Sequence, residues 1–386
     1  MFSLRTNWDR TTNRLTEALA RHNASGRKLF DLTASNPTEC GFPYDSGSIM
    51  RALCSPASLK YRPDPRGLAI AREAVASYYA GRRETVSPDD MVLTVSTSEA
   101  YSFVFRLLCN PGDELLVPAP SYPLFDFLAD IQDVKLVPYP LLYDHGWQID
   151  FHSLEQAITP RTRGIMVVHP NNPTGHFTKA AEQARLNQIC SDHKIAIIAD
   201  EVFLDFVLAP NASKSFSSNY DALTFTMSGI SKISGLPQMK FAWLSVSGPN
   251  ELKKEALARL EVIADTYLSM NAPVQLAAPV LLEQRQGFQE QLMGRVRKNL
   301  EELDRQLAEQ THCSRLQVEG GWYAVLRIPA IGSDEDFAIQ LLEQKDVYVH
   351  PGHFYNFRQE GYLVVSLIAR QGEFAEGIRR VLGLIP

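Results

Sequence analysis

The sequence lacks the cysteine pattern of a metal or redox site. Its five cysteines, Cys40, Cys54, Cys109, Cys190 and Cys313, are far apart, odd in number and never form Cys-x-x-Cys. That argues against a disulfide framework or a zinc ribbon and fits reduced thiols in a cytoplasmic protein. No apolar run approaches the length of a membrane span, and the opening "MFSLRTNWDRTTNRL" has no apolar core of signal-peptide size. No run of Lys or Arg stands out and the formal net charge is −6, so no basic face is offered to nucleic acid. Internal repeats and low-complexity segments are absent. So are two nucleotide signatures: no G-x-G-x-x-G follows the first strand, and no G-x-x-x-x-G-K-[ST] occurs.

What remains is an ordinary globular composition, 45% hydrophobic and 21% charged over 386 residues, enough chain for two or three domains. From about residue 66 the pattern alternates. "GLAIAREAVASYYA" has helical spacing, "MVLTV" is a short apolar run, and "SEAYSFVFRLL" is helical again. "DELLVPAP", "RGIMVVHP" and "KIAIIAD" are continuous apolar runs rather than alternating ones, which predicts a mostly parallel sheet covered by helices on both faces. Two long helices are predicted over 250–267 and 273–310, and the tail reads as a smaller α+β unit. The expected division is an N-terminal arm over 1–45 that joins the small domain, a large α/β domain over 46–285 and a small domain over 286–386.

Polar residues collect at the ends of the apolar runs. Ser96-Thr97-Ser98 follows "MVLTV", Ser121-Tyr122 follows "LLVPAP", Asn171-Asn172 follows "IMVVHP", and Asp200-Glu201 follows "IAIIA". In an open α/β sheet that edge is where ligands bind. Each residue has two readings. Ser96-Thr97-Ser98 at a helix start could hold a phosphate with backbone N–H groups, or be a plain N-cap. Asp200 at the end of a buried strand needs a cationic partner, such as a protonated pyridine nitrogen, or caps a helix. Asn172 could donate to a phenolate oxygen or form an Asx-turn, and Tyr122 could stack on an aromatic ring or pack in the core. Downstream lies "SGISKISGLPQMK", where Lys232 sits among small and apolar neighbours. A lysine in that setting has a lowered pKa and can act as a nucleophile. Together the parts match the needs of pyridoxal 5'-phosphate, with Lys232 as the Schiff-base lysine and Asp200 keeping the pyridine nitrogen protonated.

The motifs "YRPDPRG", "TVSTSEA", "PSYP", "NNPTG", "ADEVF" and "SGISKISGLPQMK" resemble those of fold-type I pyridoxal-phosphate enzymes of the aminotransferase class I/II group, over nearly the whole length. The resemblance implies cofactor contacts from Ser96, Thr97, Ser98, Tyr122, Asn172, Asp200, Phe203, Lys232 and Lys240. It also implies that Tyr61 reaches the cofactor phosphate of a second subunit, hence a homodimer with shared active sites. The implied activity moves an amino group between an amino acid and a 2-oxo acid.

Three positions depart from the pattern. Phe203 stands where the family usually has a Tyr that donates to the phenolate oxygen. Lys240 stands where an Arg is usual, keeping the charge and losing the fork. Val364, in Val364-Val365-Ser366-Leu367, stands where an Arg usually grips the substrate carboxylate. Arg370 and Arg327 are the nearest cations in sequence. Lyase or other α-carbon chemistry, and a ligand-sensing domain without catalysis, stay open on sequence grounds.

Overall fold

In the computed structural model, residues 1–123, 125–209, 214–268 and 270–385 are described. The strands in chain order are β1 (Phe30–Asp31), β2 (Met91–Thr94), β3 (Glu114–Ala119), β4 (Lys135–Tyr143), β5 (Trp147–Ile149), β6 (Thr162–Val168), β7 (Ala196–Asp200), β8 (Thr224–Gly229), β9 (Ala242–Ser247), β10 (Ser314–Arg315), β11 (Tyr323–Arg327), β12 (Val347–Tyr348), β13 (His350–Pro351) and β14 (Tyr362–Ser366).

The large sheet has the order β2-β9-β8-β7-β6-β3-β4-β5. Its centre, β4-β3-β6-β7-β8, is parallel throughout, and β9 runs against both of its neighbours. The apolar runs are continuous because both faces are covered. Leu115 and Ile198 pack under the helices Thr97–Leu108 and Asn250–Tyr267, with Phe103, Phe105, Leu257 and Leu260. Their chain neighbours Leu116 and Ile197 point the other way, onto Leu186 and Ile189 of the helix Ala180–His193. The reversal of β9 is not readable from "KFAWLSV", since an apolar run specifies burial and not direction.

The C-terminal part carries the four-stranded antiparallel sheet β10-β11-β14-β13. Ala324, Leu326, Leu363 and Val365 share a cluster with Leu292, Val296 and Leu303 of the helix Arg285–Leu307 and with Phe374 and Ile378 of the helix Gln371–Leu382. The N-terminal arm joins this unit through β1, which pairs parallel with β12, Phe30 opposite Val347. The predicted helix over 273–310 is two helices, Ala272–Glu283 and Arg285–Leu307, meeting at Gln284. Arg285 Nη1 donates to Leu282 O at 2.8 Å and so closes the end of the first helix with a side chain. Among the described residues no helix is long and apolar enough to cross a membrane.

Candidate active site

Register alone brings the predicted residues to one edge. Val168 lies opposite Asp200, Asp200 opposite Met227, Gly229 opposite Ala242, and Ala242 opposite Thr94. The C-terminal ends of β2, β6, β7 and β8 are therefore level. They open into Ser96–Ser98, Asn171–Asn172, Asp200 and Lys232, and the end of the adjacent β3 opens into Ser121–Tyr122.

Asp200 is buried, 8% exposed, and no helix follows it, so it is not an N-cap. Its Oδ1 accepts the Val202 N–H at 3.0 Å and its Oδ2 accepts the Tyr101 hydroxyl at 2.9 Å. Burial raises the pKa of this carboxyl, opposed by the Val202 N–H, by Tyr101 and by the charge of Lys232. Lys232 begins from the opposite side. It lies in the single turn Ile230–Ile233 after β8, and burial pushes its pKa down to about 8 against the pull of Asp200. Both shifts have one cause, a dry surrounding that disfavours charge, and burial outweighs the attraction between the two groups. The Lys232 Nζ lies 5.0 Å from the Trp322 ring centroid and 5.8 Å from that of Phe203, and donates to Ser35 O at 3.4 Å. Phe203 is buried and packs edge-on against Trp322 at 5.2 Å and Tyr323 at 6.2 Å.

The other predicted residues divide. Ser96 is the N-cap of the helix Thr97–Leu108: its Oγ accepts the Glu99 N–H at 3.2 Å, and Glu99 Oε2 accepts the Val95 N–H at 2.9 Å. Thr97 and Ser98 remain half-buried at that helix start. The Asx-turn in "NNPTG" belongs to Asn171, whose Oδ1 accepts from the Thr174 hydroxyl at 2.9 Å. Asn172 is free of that turn, and its buried Oδ1 has no partner among the described residues. Tyr122 is 43% exposed, with an open face rather than a core position. Lys240 is exposed in a left-handed conformation, φ 53°. Tyr61 is 79% exposed, on the rim of a cavity of about 660 Å³ that Phe103, Leu268 and Met270 also line.

Neither arginine suggested by the sequence joins this group. Arg327 is exposed at the far end of β11, four residues and roughly 13 Å along the strand from Tyr323. Arg370 is exposed before the helix Gln371–Leu382, with its guanidinium against Gly41. Val364 is buried, on the same sheet face as Tyr323 and Ser366. Two residues of the site were not anticipated. Tyr101 sits one turn after Thr97, where an aromatic reads as core. Trp322, in the bend just before β11, is fully buried, with an Nε1 that has no partner among the described residues.

Comparison with known proteins agrees with this layout. The family "Aminotransferase class I and II" matches residues 50–372. The chain belongs to that family. It is an aminotransferase of fold type I. It is 28% identical over 341 residues to a glutamate-pyruvate aminotransferase of Escherichia coli K12, covering 86% of this chain and 84% of the relative. It is 27% identical over 374 residues to an alanine aminotransferase of Mycobacterium tuberculosis H37Rv, covering 94% and 86%. An aminotransferase structure from Escherichia coli superposes with a TM-score of 0.88 at 25% identity, covering 100% of this chain and 99% of the other. The alanine aminotransferase of Pyrococcus furiosus gives 0.89 at 23% identity, with 100% and 99% covered.

Proposed function

We propose that this aminotransferase uses pyridoxal 5'-phosphate bound at Lys232 and moves an amino group between an amino acid and a 2-oxo acid, with alanine, glutamate and their oxo acids as the first pairs to try. The observation that carries the reading is the juxtaposition of a buried carboxylate and a lysine of lowered pKa beyond neighbouring strand ends, with no other charge partner for Asp200 among the described residues. The residues fit the cofactor. Asp200 is a buried acceptor suited to a protonated ring nitrogen, and Asn172, on the loop after the neighbouring strand β6, would donate to the phenolate oxygen through its Nδ2, since its Oδ1 can only accept. When bound, the cofactor supplies an electron sink for negative charge at the substrate α-carbon.

The chain's own groups then have distinct tasks. A pKa of about 8 leaves an appreciable neutral fraction of Lys232 near neutral pH, the form that would hold the cofactor covalently and, once displaced by the substrate amine, act as a base at the α-carbon. Asp200, fixed by Tyr101 and the Val202 N–H, would accept from the protonated ring nitrogen and keep its proton in place. Tyr122 presents a ring face for stacking. Thr97, Ser98 and the N–H groups of their helix form the phosphate cradle with Lys240, and the hydroxyl of Ser96 serves as the cap that shapes it. Phe203 and Trp322 exclude water and contribute no charge. The exposed apolar residues Leu59, Tyr61 and Leu268 support a homodimer in which Tyr61 enters the second subunit's site.

The test is Lys232→Ala with borohydride reduction of the holoenzyme. Wild type should keep the cofactor through denaturation, and the mutant should lose both the attached cofactor and turnover. Cofactor fixed to the mutant chain would refute the assignment. A keto-acid-dependent product without released ammonia distinguishes amino transfer from elimination.

A further inference from the structure

An amino acid and a 2-oxo acid both bring a carboxylate, and a carboxylate in a dry site needs a hydrogen-bonded or charged partner. The four-stranded sheet forms the wall opposite Lys232, and its facing residues follow from register. Tyr323 is opposite Ser366, Val325 is opposite Val364, and Val364 is opposite His350. Directly opposed residues of an antiparallel pair share a face, with Cβ atoms about 5 Å apart. Tyr323, Val364, Ser366 and His350 therefore look the same way. That way is toward the site: the Ser366 hydroxyl donates to Ala34 O at 2.5 Å, and the next carbonyl, Ser35 O, accepts from Lys232 Nζ.

Among the described residues His350 has one polar partner. Its Nδ1 lies 3.1 Å from the Tyr355 hydroxyl. Tyr355 is fastened to the cofactor edge, since its carbonyl accepts the Ser121 N–H at 2.9 Å. Among the described residues on this face of β11, β13 and β14, His350 is the side chain beside the site that can become cationic; Arg327 lies at the remote, exposed end of β11. We infer that the His350–Tyr355 pair binds the substrate carboxylate, with His350 taking up a proton as it does so. The inference rests on the amino acid/2-oxo acid reading above and names the residues that read the acid.

The surroundings of His350 make the binding pH-dependent. It is half-buried, and burial lowers its pKa below the ordinary value, opposed by the charge of Asp31 on β1. Tyr348 of β12 and Phe354 and Tyr355 of the turn Gly352–Tyr355 also pack against its ring, and none of them is cationic. The Asp31 carboxylate is itself occupied by the Thr33 N–H and hydroxyl, both at 2.7 Å. Burial therefore favours the neutral ring before the acid arrives. A carboxylate favours the cationic form and draws a proton from solvent, while Tyr355 turns from donor to the ring into donor to the acid.

The experiment is calorimetric titration of the holoenzyme with 3-phenylpropionate, an inert carboxylate, in buffers of different ionisation heat, together with KM for a 2-oxo acid against pH. Wild type should take up close to one proton per ligand above the pKa of His350 and bind progressively more weakly as pH rises. His350→Gln should abolish the uptake and weaken binding roughly 10- to 100-fold at pH 6, the scale of a lost charge-assisted hydrogen bond. Tyr355→Phe should weaken it several-fold and keep the uptake. Adding Val364→Arg to His350→Gln should restore binding without uptake. Absence of proton uptake in wild type, failure of wild type to bind the carboxylate, or unchanged binding in His350→Gln would each overturn the inference. If wild type transfers amino groups while His350→Gln keeps its KM and pH dependence, the carboxylate assignment falls and the amino-transfer reading stands. If wild type transfers none, it is that reading which fails.

Discussion

Tyr101 shows how much one hydroxyl can matter in a dry site. Asp200 has two donors, the Val202 N–H and the Tyr101 hydroxyl, and both oppose the burial that raises its pKa. Tyr101→Phe removes one donor and leaves the ring in place. The carboxyl should then titrate at higher pH, because its ionised form has lost a hydrogen bond. Turnover should fall roughly tenfold, the scale of a lost hydrogen bond to a charged group, and the acid limb of the rate–pH profile should move upward. An unmoved limb would show that Tyr101 only fills space. Lys232, Asp200 and Asn172 are legible as candidates in the sequence because each follows a strand-like run. Tyr101 stayed hidden because an aromatic in an amphipathic helix reads as core, and Trp322 because nothing in "EGGWYAV" says which way the ring turns. Arg370 and Arg327 are the nearest cations in sequence, but Arg327 lies exposed at the remote end of β11 and Arg370 is exposed before the last helix, which removes both.

At the scale of elements, sequence pattern was a good guide to existence and a poor one to direction and joints. The helix Thr97–Leu108 begins where its Ser96 cap predicts, while β9 runs antiparallel and the long helix breaks at Gln284. Those features depend on contacts remote in sequence. The turn after Lys232 is another case. Gly235 has φ +65°, and a Cβ added there would overlap the Phe288 ring and lie 2.8 Å from Tyr44 Oη, which itself donates to Gly235 O at 2.8 Å. Backbone strain and overpacking then act together. Gly235→Ala should cost roughly 2–4 kcal/mol of stability by denaturant unfolding. It should also disturb Lys232, which sits three residues earlier on the same turn. A mutant with wild-type stability would mean that the segment relaxes easily and that Lys232 is not held by it.

For the whole molecule, two buried groups at the sheet edge bend the stability curve in opposite senses. Glu201 is fully buried, accepts the Ser215 hydroxyl and the Phe216 N–H, each at 2.6 Å, and is pushed up to about 7 because burial outweighs those bonds. His169 is fully buried, accepts the Thr178 N–H at 3.1 Å, and is pushed down to about 3 by burial first and then by the nearby charge of His176. A carboxyl whose folded pKa is raised binds its proton more tightly in the folded state. Its contribution is whole below the unfolded value near 4.5 and is lost as pH climbs to about 7. A histidine whose folded pKa is lowered does the reverse: its contribution is whole above about 6.5 and is lost as pH falls toward 3. Between pH 4.5 and 6.5 the two slopes cancel. Glu201→Gln removes one of them. Beyond a constant offset from the altered hydrogen bonds, the stability difference between wild type and mutant should shift by about 3 kcal/mol from pH 4.5 to pH 7, in favour of the mutant at the higher pH. Every other titrating group is common to both chains and drops out of the difference. Urea unfolding at several pH values measures it, and a difference that stays flat would mean that Glu201 is ionised in the fold and that its two donors, with Arg82 nearby, outweigh its burial.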